Sequence, residues 1–520
     1  MSISIYRALL SEIEPPTRGE LIAAGFCFLA TIIRAFRLDV AALSYDESFT
    51  RMVSSAPTVT QLIQATAGDV HPPLFYFLEA WMLNINGPSN YALRALPAVF
   101  GVLCVYLVRS LAIEMRLPER VEIVAMLLTA LLPFQLHYSQ DGRMYTLLQF
   151  LILLAVCSVY RRQWLLLAGC GIALFWTHNY AVIYWPVVGG LAFVRELVTT
   201  AAHPIESADH PAPLLPKSNW PGLIMALGVP VLLYLPWVGV LVWQVNDLSN
   251  SGYWIQSLTA GQLLYPFFML WWGTSLPSPL AEVGALVAFG FLAYALIKVS
   301  ITRNEKAIAL TWLVVAPPAL AALVSVIWQP VYLFRALIGV AVPMYLLVGW
   351  SITSVKGKWG KRGSIWAVGV CVALAIAGIM NRGNQQILKG PQSIAQDYIA
   401  QHAQPGDIIY HGNVASFLGF YASGYPDLPQ YLMPVKPGSV GTLTPQTREA
   451  LGIIEAPLSE LQWRRAWLVW GAVPTIAEAE DAAITHLLDQ YPNGQVIDLD
   501  LLFAGDNATV DGGVWLIYSH

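Results

Sequence analysis

Eleven apolar runs, at 21–38, 91–113, 120–138, 144–160, 163–178, 180–197, 219–242, 280–300, 308–328, 335–353 and 364–381, alternate with polar segments along the first three quarters of the chain. Each approaches the roughly 20 residues that carry a helix across a hydrocarbon core about 30 Å thick. Lipid satisfies no backbone donor or acceptor, so spanning segments are helices or closed barrels, and continuous rather than alternating apolarity predicts helices. The polar segment 39–90 is longer than the rest. Within it "VSSAPTVTQLIQATAG" (53–68) and "PLFYFLEAWMLNI" (73–85) read as short amphipathic or interfacial helices. The Trp- and Phe-rich stretch 255–276 reads as a further helix lying along the surface rather than spanning. Beyond residue 382 the pattern changes to alternating element types, with "SIAQDYIAQHA" and "TIAEAEDAAITHLLDQY" as helices and "PGDIIYHG", "RAWLVWG" and "GVWLIY" as strands. The expected architecture is an all-α polytopic membrane domain over 1–382 with about eleven spans, followed by a small α/β domain over 383–520.

Composition agrees with that division. Of 520 residues 56% are apolar and 12% charged, with 19 Trp. All five cysteines fall inside predicted spans, so neither a disulfide framework nor a CxxC metal site is expected. The segment before the first run carries Glu12, Glu14 and Pro15-Pro16, and the run continues without a small-residue cleavage site, as expected of a retained anchor. With the N-terminus cytoplasmic, the inner segments hold 16 Lys and Arg and the outer membrane segments six. Arg34 and Arg37 sit on the wrong side of the first span and require a reason. An odd number of spans then puts the C-terminal domain outside an inner or plasma membrane. The net charge of −4 indicates no particular partner, and no nucleic acid is expected. The "NAT" at Asn507 fits a glycosylation sequon, a pattern that recurs by chance.

On this topology the scarce polar residues gather at one boundary. Asp46, Glu47, Asp69, His71, Arg94, His137, Gln140, Asp141, Arg143, His178, Asn179 and Arg335 come from six separate stretches and all fall at the outer edge. Ionisable groups near a bilayer are costly, so their convergence points to a functional site. Singly, each has a plainer reading: a solvated loop start for the acids, a snorkelling end for each arginine, a turn for "HPP".

"YDESFT" (45–50), "GDVHPPLFYFLEAWMLNINGPSNYALRALPAVFGVL" (68–103), "HYSQDGRMYTLL" (137–148), "FWTHNYA" (175–181) and "YLFRALIGVAVPMYLLVGW" (332–350) resemble the membrane glycosyltransferases of GT-C type. The resemblance is to the bacterial branch related to protein mannosyltransferases and lipid A aminoarabinose transferases, and spans about 350 residues in order. It implies inverting transfer of a sugar from a polyprenyl-phosphate donor to a hydroxyl of a lipid, glycan or protein acceptor on the outer face. Asp46 would be the general base, Glu47 would orient the loop or hold an arginine, and Arg143, Arg335 and, third, Arg94 would bind the donor phosphate, Arg94 being also partly structural as a partner of Glu47 or Asp69. Asp69, His71, Tyr138, Gln140, Asp141, Tyr145 and His178 would line the cavity. His137 and His178 with a carboxylate are candidate ligands for a divalent cation, although no HxxxH spacing supports them, and no other cofactor is implied. The chain departs from its relatives: Phe75-Tyr76 follows "HPPL" where protein mannosyltransferases carry Gly-Lys, and His71 stands where aminoarabinose transferases favour Lys. The alternative reading is a transporter or flippase of lipid-linked sugars, against which stand the absence of an internal repeat and the edge placement of the polar residues.

Overall fold

The computed structural model describes residues 16–201, 218–250, 255, 257–355, 357–387, 391–424, 426–434, 443–471, 485–497, 499, 502–504 and 509–519. Asn507, the N-terminal acids at 12 and 14 and most of the 475–491 helix lie outside them. The first apolar run is α1 (Arg18–Ala35); the long loop folds into α2 (Tyr45–Ser54), α3 (Val59–Ala67) and α4 (Leu74–Asn86). Next come α5 (Asn90–Glu114), α6 (Glu119–Leu131), α7 (Pro133–Ser139), α8 (Tyr145–Arg161), α9 (Trp164–Thr177), α10 (Ala181–Ala201) and α11 (Trp220–Asn250). Then α12 (Ala260–Trp272), α13 (Leu280–Thr302), α14 (Glu305–Ile327), a 3-10 turn (Phe334–Val340) leading into α15 (Ala341–Thr353), and α16 (Gly357–Ile387) complete the bundle.

Every one of the eleven apolar runs falls on helix, but the spans are fewer by length and composition. Among the described residues seven helices are long and apolar enough to cross a membrane, eight if α6 and α7 count as one bent span. The remaining runs are α8 and α9, 17 and 14 residues long, and α1, which carries Arg18, Glu20 and Arg34.

The bend explains Arg34. Between α6 and α7 the axis turns by 56°, at a proline that has no N–H to donate to Thr129 O. Arg34 supplies the missing donors, with Nη2 to Thr129 O at 3.0 Å, Nη1 to Ala130 O at 3.1 Å and Nε to Ser139 Oγ at 3.0 Å. Its guanidinium is buried, so it is a bolt for the break rather than a misplaced surface charge.

Beyond the bundle lie α17 (Pro391–His402), β1 (Ile408–His411), α18 (Val414–Ser423), β2 (Gln430–Leu432), α19 (Pro445–Ala450), β3 (Arg465–Gly471), β4 (Gln495–Ile497), β5 (Leu502–Ala504) and β6 (Thr509–Tyr518). The sheet runs β2-β1-β3-β6-β4 with β5 on β6; β1 pairs in parallel with β2 and β3, and β6 is antiparallel to β3, β4 and β5. Two apolar clusters cover the sheet's faces. A third side of this domain belongs to the bundle: Val414, Phe417 and Leu418 of α18 share one continuous core with Phe49, Met52 and Val53 of α2.

Candidate active site

The site is built on α2. Ser44 caps it, accepting from Glu47 N at 3.2 Å while Glu47 Oε2 accepts from Ser44 N at 2.9 Å, a reciprocal capping box. Consecutive helical positions point about 100° apart, so Asp46 and Glu47 face different surroundings. Glu47 turns into the bundle. It accepts Arg94 Nε at 2.6 Å and Nη2 at 2.8 Å, and also Gly142 N at 3.0 Å. Arg94 gives its other three N–H groups to Leu38 O, Ala41 O and Ala42 O, so all five donors are used within the protein. Of the two roles expected of Arg94, donor-phosphate ligand or partner of Glu47 or Asp69, the structure shows the pairing with Glu47: Arg94 is the clasp that holds Glu47 and the 38–42 turn.

The close approach of Gly142 is sterically required, because a Cβ there would overlap Leu93. The same 140–144 loop presents Arg143, whose Nη1 donates to Asp46 O at 3.2 Å, Thr50 Oγ1 at 3.0 Å and Tyr76 Oη at 3.5 Å. Arg143 thus reaches the backbone of residue 46 rather than its carboxylate. Arg335 meets the carboxylate itself, with Nη1 at 3.3 Å from Asp46 Oδ2. Two tyrosines hold the turn that presents it: Tyr180 Oη donates to Val331 O and accepts from Leu333 N, and Tyr184 Oη donates to Ala336 O and accepts from Gly339 N. The Asp46 and Arg335 side chains are 32% and 24% exposed, so water reaches the pair.

Behind this pair lies a buried ring cluster. His71 and His178 stand 4.8 Å apart between ring centroids, Tyr145 lies 6.0 Å from His178 and 5.0 Å from Tyr138, and the Arg335 guanidinium sits 5.9 Å above Tyr145. His178 Nδ1 accepts from Tyr180 N at 3.0 Å, which fixes its proton on Nε2. His178 Nε2, His71 Nδ1 and Arg143 Nε are buried without a hydrogen-bond partner among the described residues. Three such atoms within one cluster leave hydrogen-bonding capacity that a bound group could take up.

The electrostatics divide the acids. Burial raises the Asp46 carboxyl, but the guanidiniums of Arg143 and Arg335 outweigh it and hold the group below its usual range. Burial pushes Asp69 up to about 6 despite Arg143. Asp141 is raised by burial and then by the nearby charges of Glu47 and Asp46. Burial, followed by the neighbouring positive charges, pushes His178 down to about 3 and His71 well below its ordinary value, so both rings are neutral near pH 7.

Gln140 has a structural task. Its Nε2 donates to Arg34 O at 2.9 Å and Phe36 O at 3.2 Å, closing the end of α1. His137 packs on Tyr138, with centroids 4.8 Å apart. Among the described residues no three His, Cys, Asp or Glu side chains gather as a metal site would require. Two residues that sequence reading passed over belong to the site. Thr50 lies one turn after Asp46, a spacing that puts both on one face, and Tyr76 joins Arg143 to Asp69 through its hydroxyl, 3.5 Å from Asp69 Oδ2.

No family model and no curated protein matches the sequence. Among solved structures, ArnT from Cupriavidus metallidurans in the apo state aligns over 95% of this chain and 97% of its own, with a TM-score of 0.57 at 13% identity. The same protein bound to undecaprenyl phosphate aligns over equal shares with a TM-score of 0.55. The chain has the ArnT fold. In the ArnT fold of this protein the polar cluster is gathered around α2, which packs on the loop helix α4, on the 140–144 loop of the bundle and on α18 of the C-terminal domain.

Proposed function

We propose that the protein is an integral membrane glycosyltransferase that moves a sugar from a polyprenyl-phosphate donor to an acceptor hydroxyl at the extracytoplasmic face, with inversion at the anomeric carbon. One observation carries the reading: the water-accessible Asp46 carboxylate 3.3 Å from Arg335, with Arg143 beside it, in a chain of the ArnT fold. That ArnT has been crystallised with undecaprenyl phosphate supports the class of donor.

The reaction asks for two things, and the hollow offers both. The acceptor oxygen attacks C1 of the sugar and loses its proton to Asp46, while the C1–O bond to phosphate breaks and its electron pair leaves with the lipid phosphate. Negative charge therefore grows on the phosphate, opposite the guanidiniums of Arg143 and Arg335. These same cations depress the basicity of Asp46. An arriving phosphate competes for them, so donor binding releases the carboxylate from its partner and raises its proton affinity when a base is needed. Asp69 and Asp141 lie in the same electrostatic neighbourhood, and the neutral His71 and His178 line the far side.

The deciding experiment incubates the purified protein with a panel of polyprenyl-phosphate sugars and detects free lipid phosphate by mass spectrometry. Release that depends on Asp46 is the expected result. No release from any donor, with or without added acceptor alcohols, sinks the transferase reading.

A further inference from the structure

The last carbonyls of a helix have no partner within it and must find one elsewhere. At the end of the nine-residue α3 every such partner is foreign or crosses the helix end. Ala65 O accepts Thr447 Oγ1 at 3.1 Å, Thr66 O and Ala67 O both accept Gln244 Nε2 at 3.2 Å, and Gly68 O accepts Thr444 Oγ1 at 3.0 Å. Two residues on, Val70 O accepts Asn179 Nδ2 at 2.8 Å. The carbonyls of 65–68 and of Val70 are thus held from α9–α10, α11 and the C-terminal domain, in a segment that contains Asp69 and leads directly into His71. Thr447 is fully buried at this contact. Gly68 is the point of closest approach, because a Cβ there would overlap the hydroxyls of both Thr444 and Thr447. On the other side of the loop α18 buries Phe417 and Leu418 against Phe49, Met52 and Val53 of the helix that carries Asp46.

We propose that the C-terminal domain is a positioning element of the hollow: Thr444 and Thr447 set the 65–71 segment, and with it Asp69 and His71, while α18 sets the helix that bears Asp46. This rests on the transferase reading for its consequence in turnover, although not for its geometry. Neither threonine touches the hollow; each acts through the backbone it holds. The domain is therefore a working part of the site rather than an appended module.

The test uses the full chain and the Thr444→Val, Thr447→Val double variant, which keeps the side-chain shape and deletes both hydroxyls. Amide exchange over residues 59–76 is expected to rise roughly tenfold, with exchange in Ala341–Thr353 unchanged. On the donor found active in the panel, kcat is expected to fall about tenfold with a displaced acidic limb of the pH–rate profile, while binding of undecaprenyl phosphate changes less than about twofold. Thr447→Ser restores both readouts, and the single Val variants replace the double one if it fails to fold. Unchanged exchange over 59–76 overturns the proposal, as does raised exchange with an unaltered rate and pH profile. A wild-type chain that consumes no donor refutes the transferase instead, and the exchange comparison then decides the positioning claim alone.

Discussion

Two polar clusters back onto the same helix and differ in how far they are closed. On the bundle side Glu47 and Arg94 are 4% and 3% exposed in their side chains, and every guanidinium donor is paired. On the other side Asp46 and Arg335 are 32% and 24% exposed, and Arg143, His71 and His178 keep buried polar atoms without a partner among the described residues. A closed network stabilises one geometry, whereas an open one of the same residue types is free to accept a ligand. Adjacent acids thus divide into a clasp and a candidate base.

The largest effect is expected where the closed side is opened. Arg94→Ala strands a buried Glu47 and costs about 3–5 kcal/mol, which thermal unfolding in detergent reads as a large fall in Tm or loss of folded protein; an unperturbed Tm would show that the clasp is dispensable. Asp46→Asn is expected to lower the sugar-transfer rate by roughly 10²–10⁴-fold without moving Tm, and full turnover by the folded Asn variant would remove Asp46 as base. Arg143→Lys replaces a fork by a point charge, and donor affinity is expected to weaken about tenfold, read by titration with undecaprenyl phosphate. Equal affinity would make Arg143 a support for α2 alone.

A further effect is in pH. His178 has its proton affinity depressed in the folded state, to about 3, from an ordinary value of 6.5. Between those values the unfolded chain binds the proton and the folded chain does not, so stability is undiminished above about 6.5 and declines as pH falls toward 3. His178→Gln should flatten the decline of Tm between pH 6.5 and 4. A slope identical to wild type would assign the acid sensitivity elsewhere.

Much of this was legible in the order of residue types. The apolar runs locate the helices, and Ser44-x-x-Glu47 is a capping-box pattern that already foretells a structural task for the second acid. Arg34 was conspicuous but its purpose was hidden, since its partners at Thr129 and Ala130 are backbone carbonyls, which leave no signature in residue identity. The proline at 133 was the available hint. Arg94 was ambiguous for the opposite reason: a guanidinium suits a phosphate and a carboxylate equally, and only proximity decides. The docking of α18 and α19 was invisible, because a threonine capping a distant helix reads as any surface threonine.

Gly68 carries a consequence for how such a chain can change over generations. With no space for a methyl group between the loop and the two threonines, neither half can be exchanged for a homologous piece unless the replacement reproduces that seam. A chimera assembled at residue 390 from two divergent parents should express as two folded halves that fit badly, and the membrane part and its cap are accordingly expected to travel through descent together.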